Sequence, residues 1–347
     1  MGLAIRQMNP GEEAKWDKFV FEHPDGTFCH RAGWKHVIEQ GARQSASFLF
    51  AEDCGKLVGI LPLSHRKSYL FGDAMISTMF AVYGGPLALS EAAYSALDAA
   101  AWEYASEHGS GSLEFRSIKS RTRANKDWVC HGDNAVTFRG ALQTDKESAL
   151  LSIPRKQRAV VRKSLKAGLT CSWDHDIDRF YSLYAESVRN LGTPVFPKQM
   201  FRAFLDIFGD DVEIQVIYTP DGQAIASLMS FYHGEYVLPY YAGGKALARK
   251  YGAHDFMYFK LMLRAIERGK TKFDFGRSKV DTGPYRFKKN WGFTPTPLEY
   301  EIRLAEGAVA SNFSPTNHKF ELMVKVWKKL PLPVANILGP LIARHLG

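Results

Sequence analysis

Cysteine is scarce. Cys29, Cys54, Cys130 and Cys171 are the four in 347 residues, and no two form a CxxC pair. That spacing excludes a zinc ribbon and a disulfide-stapled scaffold, and it favours a reducing compartment. Long apolar runs are missing too: no stretch reaches the roughly 18 residues of a membrane helix. The N-terminus, "MGLAIRQMNPGEEAKW", has no apolar signal core, and Arg6 stands where a myristoylation motif wants Ser or Thr. Histidines are scattered, with no His/Asp/Glu cluster at ligand spacing, so no metal site is expected. Acidic residues are outnumbered: 36 Asp and Glu face 45 Lys and Arg, a net charge of +9. The excess favours anionic partners, either phosphorylated substrates, nucleic acid or acidic lipid. What is plentiful is core material, 46% hydrophobic and 13% aromatic residues. That fits a folded chain, and its length fits two domains.

The organisation emerges when the two halves are laid side by side. In the second half, "VEIQVIY", "QAIASLMSFY" and "EYVLPYYAGG" are β-rich runs separated by Asp-Gly and His-Gly, which are hairpin signals. A polar loop, "KALARKYG", follows. "AHDFMYFKLMLRAIERG" then has helical spacing and a closing glycine, and "TKFDFG" is a short strand. The first half repeats this order with "SFLFAE", "KLVGILPLSH" and "MISTMFAVYGG" as strands. "SEAAYSALDAAAWEYASEHG" is a helix with Ser90 as N-cap, and "SLEFRS" is the exit strand. The expected architecture is α/β (α+β), two copies of one unit with a mixed, mainly antiparallel sheet flanked by helices. The division is expected between Arg139 and Ser152, giving units at 1–145 and 146–305. Residues 306–347 form a Pro-punctuated helical tail that packs on the body or on a membrane surface, with Lys328, Lys329 and Arg344 on its flanks.

Two stretches concentrate cationic chemistry. "PRKQRAVVRKSLKAG" places Arg155, Arg158 and Arg162 on one helical face. Such a face is either a solvated surface or a clamp in which Arg forks hold phosphate. The second stretch is "FDFGRSKVDTGPYRFKKNWGF", Phe273 to Phe293. Strand alternation turns Phe273 and Phe275 inward and Asp274 the other way, at a strand end. Gly276 turns the chain, Arg277 and Lys279 follow on a loop, and Thr282-Gly283-Pro284 forms a second turn. "YRFKKNWGF" then reads as a last strand, grouping Tyr285, Phe287 and Lys289 against Arg286, Lys288 and Asn290, with Trp291 beyond. In "YVLPYYAGG", alternation sends the Tyr240 and Tyr241 rings to opposite sides, one into the core and one toward a cleft. Candidate general bases are Asp274 and His254. The latter stands at a helix start, where the dipole keeps it neutral.

Three antiparallel strands, a Gly-containing loop, a helix and a further strand are the order of the GNAT acyltransferase core. Two such units in tandem resemble the FemAB family of peptidyl- and aminoacyltransferases. The two basic stretches resemble the signature of FemAB-like proteins associated with exosortase/PEP-CTERM exopolysaccharide loci. The resemblance implies two tandem GNAT domains that transfer an aminoacyl or acyl group to an amine of a cell-envelope or exopolysaccharide precursor. In Fem ligases a Phe-Lys pair lies by the donor ester, and Phe287-Lys288 is the matching pair. Lys288 would polarise the acyl carbonyl, with Lys289 a close competitor.

Lys288, Asp274 and Tyr285 are therefore the candidate catalytic side chains. Arg155, Arg158, Arg162, Tyr240, Tyr241, Arg277, Lys279, Lys289 and Trp291 are the candidate substrate-binding ones. "RKYGAH" offers Arg249 and Gly252 for the pyrophosphate of acyl-CoA, but His254 occupies the last small position of the GNAT loop. The first unit's "YGGPLALSEAAYS" has no basic residue in that loop. The helical-hairpin insertion of some Fem ligases is missing, so a tRNA would have to be held by the globular surface. The resemblance implies no tightly bound cofactor, with acyl-CoA or aminoacyl-tRNA as co-substrate. It implies an anionic, phosphorylated precursor as partner, no DNA, and a cytoplasmic location with peripheral contact at the inner face of the membrane. Two alternatives remain: an acyl-CoA-dependent GNAT acting on an amino sugar or amino acid, and a non-catalytic subunit that binds anionic glycolipid.

Overall fold

β-branched and aromatic runs punctuated by glycine turns produce antiparallel strands in both halves of this computed structural model, which describes residues 2–68, 72–118, 127–131, 135–308 and 318–347. The first unit opens with β1 (Ala4–Gln7), α1 (Glu13–Glu22), α2 (Gly33–His36), β2 (Ser45–Asp53) and β3 (Lys56–Arg66). Between β2 and β3, Cys54 (φ 48°) and Gly55 (φ 79°) both take the left-handed conformation that a two-residue hairpin turn demands. β4 (Ala74–Ile76), β5 (Leu87–Ala88), α3 (Glu91–Glu107), β6 (Ser112–Ser117) and β7 (Trp128–His131) follow. The Ser90 hydroxyl accepts from the Ala93 amide at 3.2 Å and so starts α3 as expected. Leu97, Ala101 and Ala105 of α3 pack in one core with Leu49, Leu61, Leu113 and Phe115 of the sheet.

The second unit contains β8 (Ala135–Ala141), α4 (Lys146–Ser152), α5 (Arg155–Leu165), β9 (Thr170–Asp174), α6 (Ile177–Leu191) and α7 (Lys198–Phe208). It continues with β10 (Val212–Tyr218), β11 (Ala224–His233), β12 (Tyr236–Gly244), α8 (Leu247–Tyr251), α9 (Ala253–Glu267) and β13 (Lys272–Asp274). β14 (Ser278–Lys279), α10 (Gly283–Asn290) and β15 (Pro295–Pro297) complete it. Its sheet has the order β14-β8-β13-β12-β11-β10-β9, with β15 also on β8. Phe256, Phe259 and Met262 of α9 pack against Leu228, Val237 and Phe273.

After β15 the chain forms β16 (Glu299–Leu304), which pairs with β6 and β7, so the first unit's sheet runs β1-β2-β3-β4-β6-β16-β7. α11 (His318–Trp327) and α12 (Leu332–Ala343) end the chain. The duplication is real: in each unit a helix leads from the third meander strand to a strand parallel to it. β4 pairs with β6 at Met75–Leu113, and β12 pairs with β13 at Val237–Phe273.

Five expectations need revision. The division falls between residues 133 and 134 rather than after 145, because β8 pairs with β13 and joins the second unit's sheet. The tail is not one body: among the described residues 318–340 belong to the second unit, and 298–308 with 341–347 to the first. The expected strand "MISTMFAVYGG" survives only as β4. Beyond Ile76 the chain is irregular yet buried, with Phe80 in the left-handed region at φ 63° and its carbonyls held by side chains. The Arg116 guanidinium donates to Thr78 O and Ala81 O, and the Tyr300 hydroxyl to Val82 O. Finally, "YRFKKN" is a helix, α10, and most of the loop "KALARKYG" is the short helix α8.

Candidate active site

The second unit's sheet opens where its parallel strands part. β12 and β13 pair at Tyr236–Lys272 and Val237–Phe273; β13 then ends at Asp274 while β12 runs on to Gly244. Pro239, which has no N–H to give a ladder, lies just past the last pair. Met229 of β11 faces Tyr241 and Ser230 faces Pro239, which leaves Tyr240 as the extra residue of a β-bulge. The bulge cancels the alternation read from the sequence. The Tyr240 and Tyr241 rings do not oppose each other; they meet at 4.9 Å, 65° apart, and both touch Phe231. Tyr241 is buried among Tyr184, Phe196, Phe201 and Phe204, so it is core, and half-buried Tyr240 is the ring nearer the opening.

At the same end of the sheet, the exit of β13 is anchored by Asp274, 1% exposed. Its Oδ1 accepts from the Gly276 amide at 2.8 Å and from the Thr137 hydroxyl at 3.2 Å, and Arg139 Nε lies 3.2 Å from its Oδ2. Gly276 has φ 66°, a conformation that side chains resist. Asp274 thus fixes a turn. Its burial removes it from the reach of an acceptor amine, which corrects the general-base expectation. Arg277 and Lys279 follow, half-buried, with Ser278–Lys279 paired to β8.

The next residues explain α10. Thr282 caps the helix, its hydroxyl accepting from the Tyr285 amide at 3.4 Å, and Pro284 stands in the first turn. Helical rather than strand spacing then sorts the side chains. Tyr285 packs on Phe138 at 5.4 Å, with Lys289 exposed one turn on, 5.9 Å over its ring. Lys288 turns inward and is 9% exposed. Its Nζ donates to the carbonyl oxygens of Gly276 and Arg277, both at 3.0 Å. An ammonium has three N–H donors, so one remains for a further acceptor. Burial pushes its pKa down to about 8, and Asp274 partly opposes that shift. Of the two competing lysines, Lys288 is the buried one and Lys289 the exposed one. Trp291 is 2% exposed and belongs to the core with Tyr258 and Phe275, although it also lines a cavity of about 220 Å³ with Arg139, Leu142, Ile153, Met262 and Phe293.

α5 lies next to α10 and α9. A Cβ on Gly292 would stand 3.0 Å from Pro154 Cδ, and the Gln157 amide donates to Asp255 in the first turn of α9. The outward face of α5 lines an open recess of about 610 Å³ with Arg155, Arg158, Ala159, Arg162, Lys163 and Lys166. Arg158 Nε is tied to Ile153 O at 3.0 Å; Arg155, Arg162, Lys163 and Lys166 are exposed and pair with no carboxylate among the described residues. Three arginines and two lysines thus line one face of α5 and its C-terminal end, a concentration of positive charge.

The same packing bears on acyl-CoA. A pyrophosphate cradle needs free amides at the start of α9. Here the Gly252 amide bonds Arg249 O at 3.2 Å, and the Ala248 and Arg249 amides bond Lys245 O and Ala246 O. A Cβ on Gly252 would touch Ser164 Cβ of α5 at 3.3 Å, and Asp255 adds a carboxyl to the first helical turn. Gly252 is therefore a tight joint between α8 and α9, packed against α5. His254 is half-buried, and burial, with Arg249 second, lowers its pKa. Its ring covers Gly244, where a Cβ would meet Cε1 at 3.1 Å.

A bulged strand, a parting parallel pair and a helix leading between them define the GNAT acyltransferase fold, present here in tandem. Residues 155–289 match the family described as "Acetyltransferase (GNAT) domain". No curated protein matches the chain. Among solved structures, FemX is similar with TM-score 0.68 at 15% identity, over 86% of this chain and 97% of that one. L-PGS from Bacillus licheniformis is similar at TM-score 0.57 and 12% identity, over 94% and 99% of the two chains. A tandem GNAT protein from the clavulanic acid biosynthesis pathway is similar at TM-score 0.57 and 14% identity, over 89% and 100%. At these identities the likeness is one of fold alone.

Proposed function

We propose that this protein is an acyltransferase that forms an amide by moving an aminoacyl group to an amine of an anionic, phosphorylated cell-envelope or exopolysaccharide precursor. The observation that carries the reading is Lys288: a buried ammonium with one uncommitted N–H, fixed by two carbonyls at the end where β12 and β13 part. There it would donate to the acyl carbonyl as negative charge develops on the oxygen. Tyr240 flanks the opening, and the α5 face supports the phosphate-bearing part of a substrate. Holding donor ester and amine together supplies much of the remaining rate enhancement, without a covalent enzyme intermediate.

His254, in the last small position of the GNAT loop with its ring over Gly244, favours an aminoacyl ester on tRNA over acyl-CoA as donor. The test presents purified protein with a panel of aminoacyl-tRNAs and, separately, acyl-CoA donors, together with amine-bearing envelope precursors. Mass spectrometry then looks for a new amide. Product from an aminoacyl-tRNA supports the reading, product from acyl-CoA alone replaces the donor, and no amide from either overturns acyl transfer.

A further inference from the structure

α12 has its side chains distributed the wrong way round for a helix in water. Its small residues Ala335 and Gly339 are buried, and Gly339 sits against Val195. Its large apolar residues face out: Val334 39%, Ile337 69% and Leu338 41% exposed, at spacings of three and four. They form one apolar stripe, and it continues at Leu341 on the next turn. α11 shows the same pattern, with Leu322, Met323 and Val326 more than half exposed while Val324 packs on Gly192. Both helices rest on the α6–α7 connection, where Leu191, next in the chain to Gly192, is also exposed. An apolar surface of this kind is not left to water without a partner.

Charge identifies the partner. From Leu322 to Gly347 the chain contains no Asp or Glu, yet it carries Lys325, Lys328, Lys329 and Arg344. Lys328 and Lys329 are exposed at the end of α11 and pair with no carboxylate among the described residues. Large apolar side chains beside unpaired lysines match the boundary of a bilayer with anionic headgroups. A buried protein interface would deplete lysine. Spanning is excluded for this helix: twelve residues reach about 18 Å, well short of a hydrocarbon core of about 30 Å. Among the described residues no helix is long and apolar enough to cross.

We propose that α11 and α12 form a docking surface for an anionic lipid bilayer, with Ile337, Leu338, Leu322 and Val326 entering the headgroup boundary and Lys328 and Lys329 pairing with lipid phosphates. This surface is independent of the acyl-transfer reading, and its test needs no activity.

The full chain is sedimented with vesicles of phosphatidylcholine alone and of phosphatidylcholine with roughly one third phosphatidylglycerol. The protein pellets with the anionic vesicles and stays in solution with the neutral ones. Lys328→Ala/Lys329→Ala weakens partitioning about 30-fold, the loss of two charges near the surface. Ile337→Glu/Leu338→Glu abolishes it, with circular dichroism unchanged because both side chains are exposed. The proposal is overturned if the wild-type chain pellets with neither vesicle, or if both double variants pellet as it does, which moves binding to another surface such as α5. It is equally overturned if the wild-type chain is a dimer that Ile337→Glu/Leu338→Glu turns into a monomer, since the stripe then covers a second copy.

Discussion

Lys288 Nζ stands 3.0 Å from the carbonyl oxygen of Gly276, a residue that Asp274 holds from the other side through its amide. The cation is therefore positioned by a turn that is itself anchored in the sheet. Lys288→Ala is expected to lower kcat/KM by roughly 100-fold or more, as loss of a donor to a developing oxyanion does. Lys289→Ala, on the exposed neighbour, should leave it within a few-fold. Steady-state kinetics on the two variants separates them, and equal losses would refute the assignment.

The depressed pKa gives this lysine a pH signature. If the ammonium is the working form, activity falls as pH rises through about 8, where Lys288 loses its proton. Lys288→Arg should remove that limb, because Arg stays charged. Stability moves the opposite way. The folded state binds fewer protons than the unfolded state between about 8 and the ordinary 10.5, so this group stabilises the fold increasingly as pH rises through that window. Below pH 8 both states are protonated and its contribution is flat. Thermal melts of wild type and Lys288→Met across pH 7 to 11 should differ in slope only inside that window.

Asp274 is expected to act on stability rather than on proton transfer. Asp274→Ala leaves Arg139, Thr137 and the Gly276 amide without their buried acceptor, a loss of about 3–5 kcal/mol in urea unfolding. Asp274→Asn keeps an acceptor oxygen for the turn and should retain measurable turnover. A general base would lose activity in both variants alike.

The α5 face should act on affinity. Arg155→Glu/Arg162→Glu is expected to raise KM for the phosphate-bearing substrate at least about tenfold and to flatten its salt dependence. Melting temperature should hold within about 1 °C, because neither side chain is packed. An unchanged KM would return this face to a solvated surface.

Close packing sets the fifth expectation. A Cβ on Gly243 would lie 2.6 Å from Tyr184 Cα, a backbone atom that cannot swing away. Gly243→Ala should destabilise the second unit by about 1–3 kcal/mol through overpacking. At Gly244 the nearest atom is His254 Cε1 at 3.1 Å, the tip of a side chain, so Gly244→Ala should cost less.

The meander, the helix and the exit strand were legible in both halves because alternation and glycine turns are local signals. Helix α10 was misread, although its start was written in the chain: Thr282 followed by Pro284 is an N-cap with a first-turn proline. The alternation read into "YRFKKN" concealed it, and reading a strand there obscured which lysine points inward. The bulge at Tyr240 had a signal of its own in Pro239, which an internal strand does not tolerate without an irregularity. The burial of Asp274 had none. It arises from β8, which supplies Thr137 and Arg139 from more than a hundred residues away. The same distance explains the misplaced boundary, since "AVTFRGA" has no local feature that assigns it to one sheet or the other.

The position of β16 has a consequence for synthesis. It lies between β6 and β7 in the first sheet, yet the ribosome makes it only after every strand of the second sheet. Until residue 304 emerges, β6 and β7 are two sticky edges without the strand that joins them. The sheet begun first is thus the last to close, and a chain stopped at Pro297 would carry a finished second sheet and an open first one. Ribosome-stalled chains ending before and after β16 should differ sharply in protease resistance of residues 1–131, a vulnerability that a chaperone would have to cover.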